Sequence, residues 1–334
     1  MNEVLQILDS IKKRSYHPVY FLMGDEGYFI DKISKTLEQN VLAPEEKDFN
    51  QTILYGRDVS VEDIIGTAKR FPMMAEKQVV IVKEAQELSR TIEKLVSYVE
   101  HPLDTTLLVI CYKYKKIDKR KKLYKAVQKK GLIFDSKKLY ENQVSDWIRS
   151  VLGDNSYKIE AKATQMLVEY LGTDLGKINN ELDKLKLIIP GNTTITPAHI
   201  EEHIGISKDF NNFELRKAIG KRDMTKAFKI ITYFSQNPKD NPIVVTISLL
   251  FSFFSQLMQY HGLADKSKKN VASVLRINPY FVTDFTEASQ NYPMKKVSQV
   301  IHSLRKADMQ SKGVEANSLP QNDILKELLV AIMC

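Results

Sequence analysis

The sequence predicts an α/β domain built on a parallel sheet, followed by two all-helical domains. Three observations lead there. Over the first third of the 334 residues, short apolar runs of strand length alternate with helical periodicity, the pattern of strands joined by crossover helices. After about Leu139 the strand signal stops. From there Val144, Trp147, Ile148 and Val151 start a spacing of i, i+3, i+4, i+7, and helical patterns continue to the C-terminus. A chain of this length also exceeds what one hydrophobic core organises, so two or three domains are expected.

In order along the chain, strands are expected at Val19 to Met23, Thr52 to Leu54, Val79 to Val82, Thr106 to Cys111 and Leu132 to Phe134. Helices are expected between them at Tyr28 to Glu38 and at Val61 to Lys69. The second is opened by Ser60 as N-cap and carries Val61, Ile64, Ile65 and Ala68 at core spacing. Beyond Leu139, helices follow at Ala161 to Leu171, stopped by Gly172, and at Leu175 to Ile189, stopped by Pro190-Gly191. A short helix opens with Thr196 as cap and Pro197 in its first turn, and this helical block ends near Gly205. Ser207 to Asn212, rich in Asp and Asn, reads as a hinge before a last helical block.

Composition narrows the function classes. A hydrophobic content of 43% supports folded domains throughout. Cys111 and Cys334 cannot form a disulfide framework and suggest neither a catalytic thiol nor an oxidising compartment. The N-terminal stretch mixes charged with apolar residues and shows no secretory signal, so the cytoplasm is expected. From Asn241 to Ala264 there is no Asp, Glu, Lys or Arg, which raises a membrane span as a possibility. Ser248, Ser252, Ser255 and Gln259 share one helical face there, however, with Leu249, Leu250, Phe253, Phe254 and Leu257 elsewhere. A helix buried in a soluble bundle, with no membrane partner, is the expectation.

The net charge of +8 is local. Residues 113–130 hold ten Lys/Arg and one Asp, while the remaining chain carries 39 basic against 40 acidic residues. Such a block marks a polyanion surface or a solvated charge run. Read as a nucleic-acid contact, it nominates Lys115, Lys116, Lys119, Arg120, Lys121 and Lys122, with Tyr112, Tyr114 and Tyr124 interleaved.

A first strand ending in Gly24 invites a test for a phosphate-binding loop, whose second Gly, Lys and Ser/Thr would fall at 29, 30 and 31. The chain has Phe29, Ile30 and Asp31, and Asp25 and Glu26 put negative charge where phosphates would sit. An acidic pair should end a later strand to organise Mg²⁺, yet Val79-Val80-Ile81-Val82 runs into Lys83-Glu84. Two parts of a nucleotide site are therefore missing from a fold of nucleotide-binding type, and a degenerate domain with no ATPase activity and no cofactor is expected. His199 and His203, four apart, lack the glutamate that zinc proteases place directly after the first His, and read as surface helix residues. No catalytic residue or metal ligand is nominated.

Phe71-Pro72-Met73-Met74 puts three large apolar residues into a connection between polar flanks. They either fold back onto the sheet as core or form an exposed plug whose methionines adapt to a partner. Periodicity alone favours the core.

Several segments, in order and spacing, resemble the delta-subunit family of the bacterial DNA polymerase III clamp loader. They are Tyr20 to Glu26, Phe71 to Gln78, Tyr170 to Leu175, Asn180 to Leu185, Glu202 to Gly205, Phe213 to Leu215 and Lys306 to Gly313. The resemblance implies an AAA+-like clamp-binding domain at 1–139, a helical lid domain at 140–208 and a helical collar at 209–334. It implies a non-hydrolysing subunit that binds the sliding clamp (beta subunit) and holds it open for loading onto primed DNA. The other partners implied are the tau/gamma and delta prime subunits, in a heteropentameric ring. It implies too that Met73 and Met74, with Phe71 beside them, are the clamp-binding element at the tip of a short helix. Two other readings are an unusual active AAA+ ATPase and a stand-alone nucleic-acid-binding protein using 113–130.

Overall fold

The computed structural model describes residues 2–153, 156–314 and 320–334. Its contacts divide the chain into two units, Met1–Leu139 and Tyr140–Cys334.

The first unit holds five parallel strands, β1 (Val19–Gly24), β2 (Gln51–Tyr55), β3 (Gln78–Lys83), β4 (Thr106–Lys113) and β5 (Leu132–Ser136), in the order β2-β3-β4-β1-β5. Its helices are α1 (Asn2–Lys12), α2 (Gly27–Asn40), α3 (Lys47–Asn50), α4 (Val61–Ala68), α5 (Val96–Val99) and α6 (Lys122–Lys130). Every residue of β1 is buried, as is β4 up to Tyr112, because helices cover both faces of the sheet. Such strands read as unbroken apolar runs, while the edge strands β2 and β5 are only partly buried and show shorter ones. On one face Phe21, Met23, Val80, Val82, Leu108 and Ile110 pack with Ile64, Ala68, Leu95, Tyr98, Leu123 and Val127. On the other lies α2, backed by α1, with Ile30, Ile33 and Leu37 fully buried.

Helix α4 begins where expected. The Ser60 hydroxyl accepts from the Asp63 N–H at 3.1 Å, and the Asp63 carboxylate accepts from the Ser60 N–H at 2.9 Å. The Ser60 hydroxyl also donates to the Asp63 carboxylate at 2.6 Å, and this bond with that of the Ser60 N–H holds the Asp63 carboxyl below its ordinary pKa. Its other end is closed by Gln78, whose buried side-chain amide donates to Ala68 O at 3.2 Å, to Thr106 Oγ1 at 2.8 Å and to Arg70 O.

The second unit opens with α7 (Glu141–Gly153), α8 (Ala161–Leu171), α9 (Leu175–Ile188) and α10 (Pro197–Ile204). A two-stranded parallel ladder joins β6 (Lys158–Ile159) to β7 (Thr194–Ile195). Then come α11 (Asn212–Gly220), α12 (Met224–Gln236), α13 (Ile243–Gly262), α14 (Lys268–Leu275), α15 (Val282–Asn291), α16 (Met294–Ser311) and α17 (Gln321–Met333). Helix α8 is tied to α11 by Lys162–Glu214 at 2.7 Å and Arg216–Glu169 at 3.3 Å. Burial pushes the Glu169 carboxyl above its ordinary pKa, opposed by the Arg216 charge.

Helix α13 is long and apolar enough to cross a membrane by length and composition, at mean hydropathy 1.5. Its Ile247, Leu250, Phe253, Phe254 and Leu257 instead lie in the core of the helical bundle, with Phe253 against Phe285 and Phe254 against Tyr292. The polar face expected from the sequence is the outward one. Ser248, Ser252 and Gln259 face outward, and Val244, Val245 and Phe251 are exposed beside them. One face of α13 packs and the other is open.

Removing the cap with Ser60→Ala should lower the stability of the first unit by about 1 kcal/mol in urea unfolding. An unchanged midpoint would mean that α4 is held by its packing alone.

Candidate functional site

Parallel strands place two sets of loops at opposite edges of the sheet. The ends of β1, β3, β4 and β5 form the carboxyl edge, where ligands bind in open α/β sheets. The segments entering β2, β3 and β4 form the amino edge. With strands of five to eight residues, the edges are separated by roughly 17–20 Å.

At the carboxyl edge the turn from β1 to α2 is folded onto β5. Gly24 has φ +125°, and a Cβ there would lie 2.2 Å from Ser136 O, so only glycine fits. The backbone amides that would cradle a phosphate are engaged within the protein. Asp25 N and Glu26 N donate to Ser136 O at 2.8 and 3.2 Å, and Gly24 N donates to Lys115 O at 3.2 Å. The Glu26 carboxylate caps α2 by accepting from Tyr28 N at 3.0 Å, so a fixed negative charge occupies the helix N-terminus that an anion would seek. Ser136 Oγ donates to Glu26 O at 2.6 Å. Phe29 and Ile30, at the positions of the missing Gly and Lys, are buried. Lys83, at the end of β3, pairs with Glu38 at 3.4 Å.

The basic stretch begins at this edge and is partly neutralised. Lys113 pairs with Asp31 at 2.6 Å, and Lys116 bridges Asp25 at 3.1 Å and Asp135 at 2.9 Å. The latter two carboxylates raise the Lys116 pKa. Arg120 folds onto Asp118 and holds that carboxyl down at about 2. Lys115 Nζ donates to Gln86 O at 3.3 Å and Ser89 Oγ at 3.4 Å. Lys119, Lys121 and Lys122 are exposed, and among the described residues none has a carboxylate at ion-pair distance. The interleaved tyrosines do not form a surface ladder. Tyr112 is buried against Phe21 and Tyr124 packs on the core, because their alternation belongs to β4 and to the inner face of α6; Tyr114 is exposed.

At the amino edge, residues 71–77 run as irregular bends between α4 and β3. Phe71 is 78%, Met73 58% and Met74 99% exposed, so these side chains are not core. The resemblance placed the methionines at a helix tip, whereas α4 ends at Ala68 and they lie beyond it. Met74 has φ +55°, the left-handed region, which a residue without a β-branch tolerates at a modest cost. Two polar side chains that sequence reasoning missed anchor the segment. Gln78 holds Arg70 O, and Asn50 holds Met73 through both N–H and C=O. A lone Asn before one strand and a lone Gln before another carry no pattern that would single them out. Phe49, next to Asn50, is also exposed, at 73%.

His199 and His203 stack at 6.4 Å, and His199 Nδ1 accepts from Thr196 N at 3.2 Å, completing the cap of α10. They are structural residues of that helix.

A parallel α/β domain of nucleotide-binding type, with a phosphate turn closed by its own backbone and a helical unit after it, defines an AAA+-like chain. Residues 20–137 match the model of the family described as DNA polymerase III, delta subunit, and residues 209–329 match that of its C-terminal domain. The chain belongs to the DNA polymerase III delta-subunit family. It is 27% identical over 319 residues to DNA polymerase III subunit delta of Bacillus subtilis (strain 168), covering 92% of each. Its fold is similar to the solved Bacillus subtilis DNA clamp loader delta protein, with 24% identity, 99% of each chain covered and a TM-score of 0.57.

Burial pushes the Cys111 thiol up to about 11, while Cys334 is exposed. A thiol reagent at about pH 8 should therefore label Cys334 in the native protein and Cys111 only in denaturant, since the thiolate is the nucleophile. Rapid native labelling of both would place Cys111 outside the core.

Proposed function

We propose that this chain is the clamp-binding subunit of a cytoplasmic clamp loader. It docks on the sliding clamp through Phe71, Met73 and Met74 and holds the ring open without hydrolysing ATP. The observation that carries the reading is the exposure of three large apolar side chains on one polar-anchored segment. Burying one such side chain is worth about 1.5–3 kcal/mol, so the two methionines could supply much of the about 8 kcal/mol of a micromolar complex. Pro72 restricts the segment and lowers the entropy lost on docking. Holding a ring open further requires that the contact favour the open clamp.

The carboxyl edge supports a scaffold role. Amides already bonded to Ser136 O and a carboxylate on the α2 N-terminus disfavour a nucleotide, so ATP belongs to other subunits. In this reading residues 140–208 act as lid and 209–334 as collar, through which the chain joins tau/gamma and delta prime subunits in a pentamer around primed DNA. The exposed lysines of 113–130 give a salt-sensitive contact to that DNA.

The double change Met73→Ala and Met74→Ala should keep the melting temperature and weaken clamp binding by at least about tenfold, as expected for two truncated anchors. Normal affinity would end the docking role. For the basic stretch, neutralising Lys119, Lys121 and Lys122 should lower the slope of log affinity against log salt by about 0.9 for each phosphate that the chain no longer neutralises. Replacing Lys115, Lys116 and Arg120 as well should change it little further, since the structure gives those three partners within the protein. A slope unchanged by all six replacements would leave the block as a solvated face.

A further inference from the structure

The backbone of residues 71–77 has an unusual dependence on one side chain. Among the described residues, the hydrogen bonds that this backbone makes both go to Asn50: Met73 N donates to Asn50 Oδ1 at 2.6 Å, and Asn50 Nδ2 donates to Met73 O at 2.9 Å. The same Nδ2 donates to Glu46 O at 3.0 Å, which fixes which end of the amide is which. Asn50 is only 3% exposed and is the last residue of α3, directly before β2, so regular structure holds it on both sides. Its amide pairs with Met73 as a neighbouring strand would, across 23 residues of sequence. The residue that follows, Met74, has left-handed backbone and is 99% exposed. Among the described residues this backbone has no other hydrogen bond, and the segment is otherwise tied by Lys77 Nζ on Asp104 O at 2.5 Å and by Gln78 on the preceding Arg70 O, so Met73 and Met74 with their solvated side chains would sample many conformers if released from Asn50.

We infer that Asn50 is a positioning residue for partner docking: its amide pre-forms the 71–77 segment so that Met73 and Met74 are already presented in the free protein. This rests on the clamp-docking role proposed for that segment. Asn50 need not touch the partner. It acts by keeping the binding-competent conformer dominant, so its loss lowers apparent affinity by the fraction of chains still competent, and the loss falls mainly on the association rate.

The test uses the full chain and the sliding clamp, with surface-bound kinetics and amide hydrogen exchange. Asn50→Leu keeps the side-chain size and removes both bonds. Asn50→Asp keeps the acceptor for Met73 N–H but cannot donate to Met73 O, and serves should the leucine variant fail to fold. The expected result is faster exchange at the Met73 amide in Asn50→Leu, with clamp affinity down about tenfold, the equivalent of a competent fraction near a tenth. Asn50→Asp should lie between. In the Met73→Ala, Met74→Ala background, Asn50→Leu should have no further effect on affinity, which a general loss of stability would not reproduce. Faster exchange at Met73 with unchanged affinity overturns the positioning role while leaving the docking role intact. An additive loss in the double-alanine background makes Asn50 a structural residue only. Normal binding by the double-alanine chain overturns both readings together.

Discussion

The approach of the β1–α2 turn to Ser136 sets the chemistry of the whole carboxyl edge. β1 is hydrogen-bonded on both sides, to β4 and to β5, and its last residue, Gly24, carries the chain over the Ser136 carbonyl with no room for a Cβ. The next two amides then fall on that carbonyl, and Glu26 closes the helix start. Once these donors are used, a phosphate would have to displace bonds already made and face Asp25 and Glu26 at close range, which a partly dry cleft makes unfavourable. The acidic residues are balanced from the basic stretch by Lys116 on Asp25 and Asp135 and by Lys113 on Asp31. The edge that binds ligands in this kind of sheet is thus closed by its own polar groups.

The opposite edge shows the complementary arrangement, apolar side chains held out by polar anchors. Exposing Phe71, Met73 and Met74 forgoes burial that would otherwise stabilise the unit. The segment keeps its place because Gln78, at the start of the buried strand β3, and Asn50, at the end of α3, bond its backbone from inside. A rigid sheet with a preset apolar segment loses little entropy on docking.

Much of the fold was legible because its rules are local. The central strands, covered on both faces, are continuous apolar runs and the partly buried edge strands keep short ones, so all five were found within about two residues of their ends. Ser60, Gly172 and Thr196-Pro197 marked helix ends by cap chemistry that the structure bears out. What was not legible depends on partners far apart in sequence. Asn50 finds Met73 across 23 residues and Lys113 finds Asp31 across 82, so neither the anchor nor the neutralisation of the basic stretch could be read from composition. The same limit applies to Phe71, Met73 and Met74, whose spacing favours core although all three are exposed. Tyr112 shows the reverse error, an aromatic counted with its basic neighbours although its place in β4 turns it into the core.

In the proposed function this domain engages a partner at its amino edge and no nucleotide at its carboxyl edge. Amide hydrogen exchange across the whole chain tests both halves in one measurement, taken alone, with the sliding clamp and with Mg-ATP. The expected result is new protection over residues 71–77 with the clamp and no change over 24–31 with ATP. Protection of 24–31 by ATP, or clamp protection that leaves 71–77 unchanged, would contradict it.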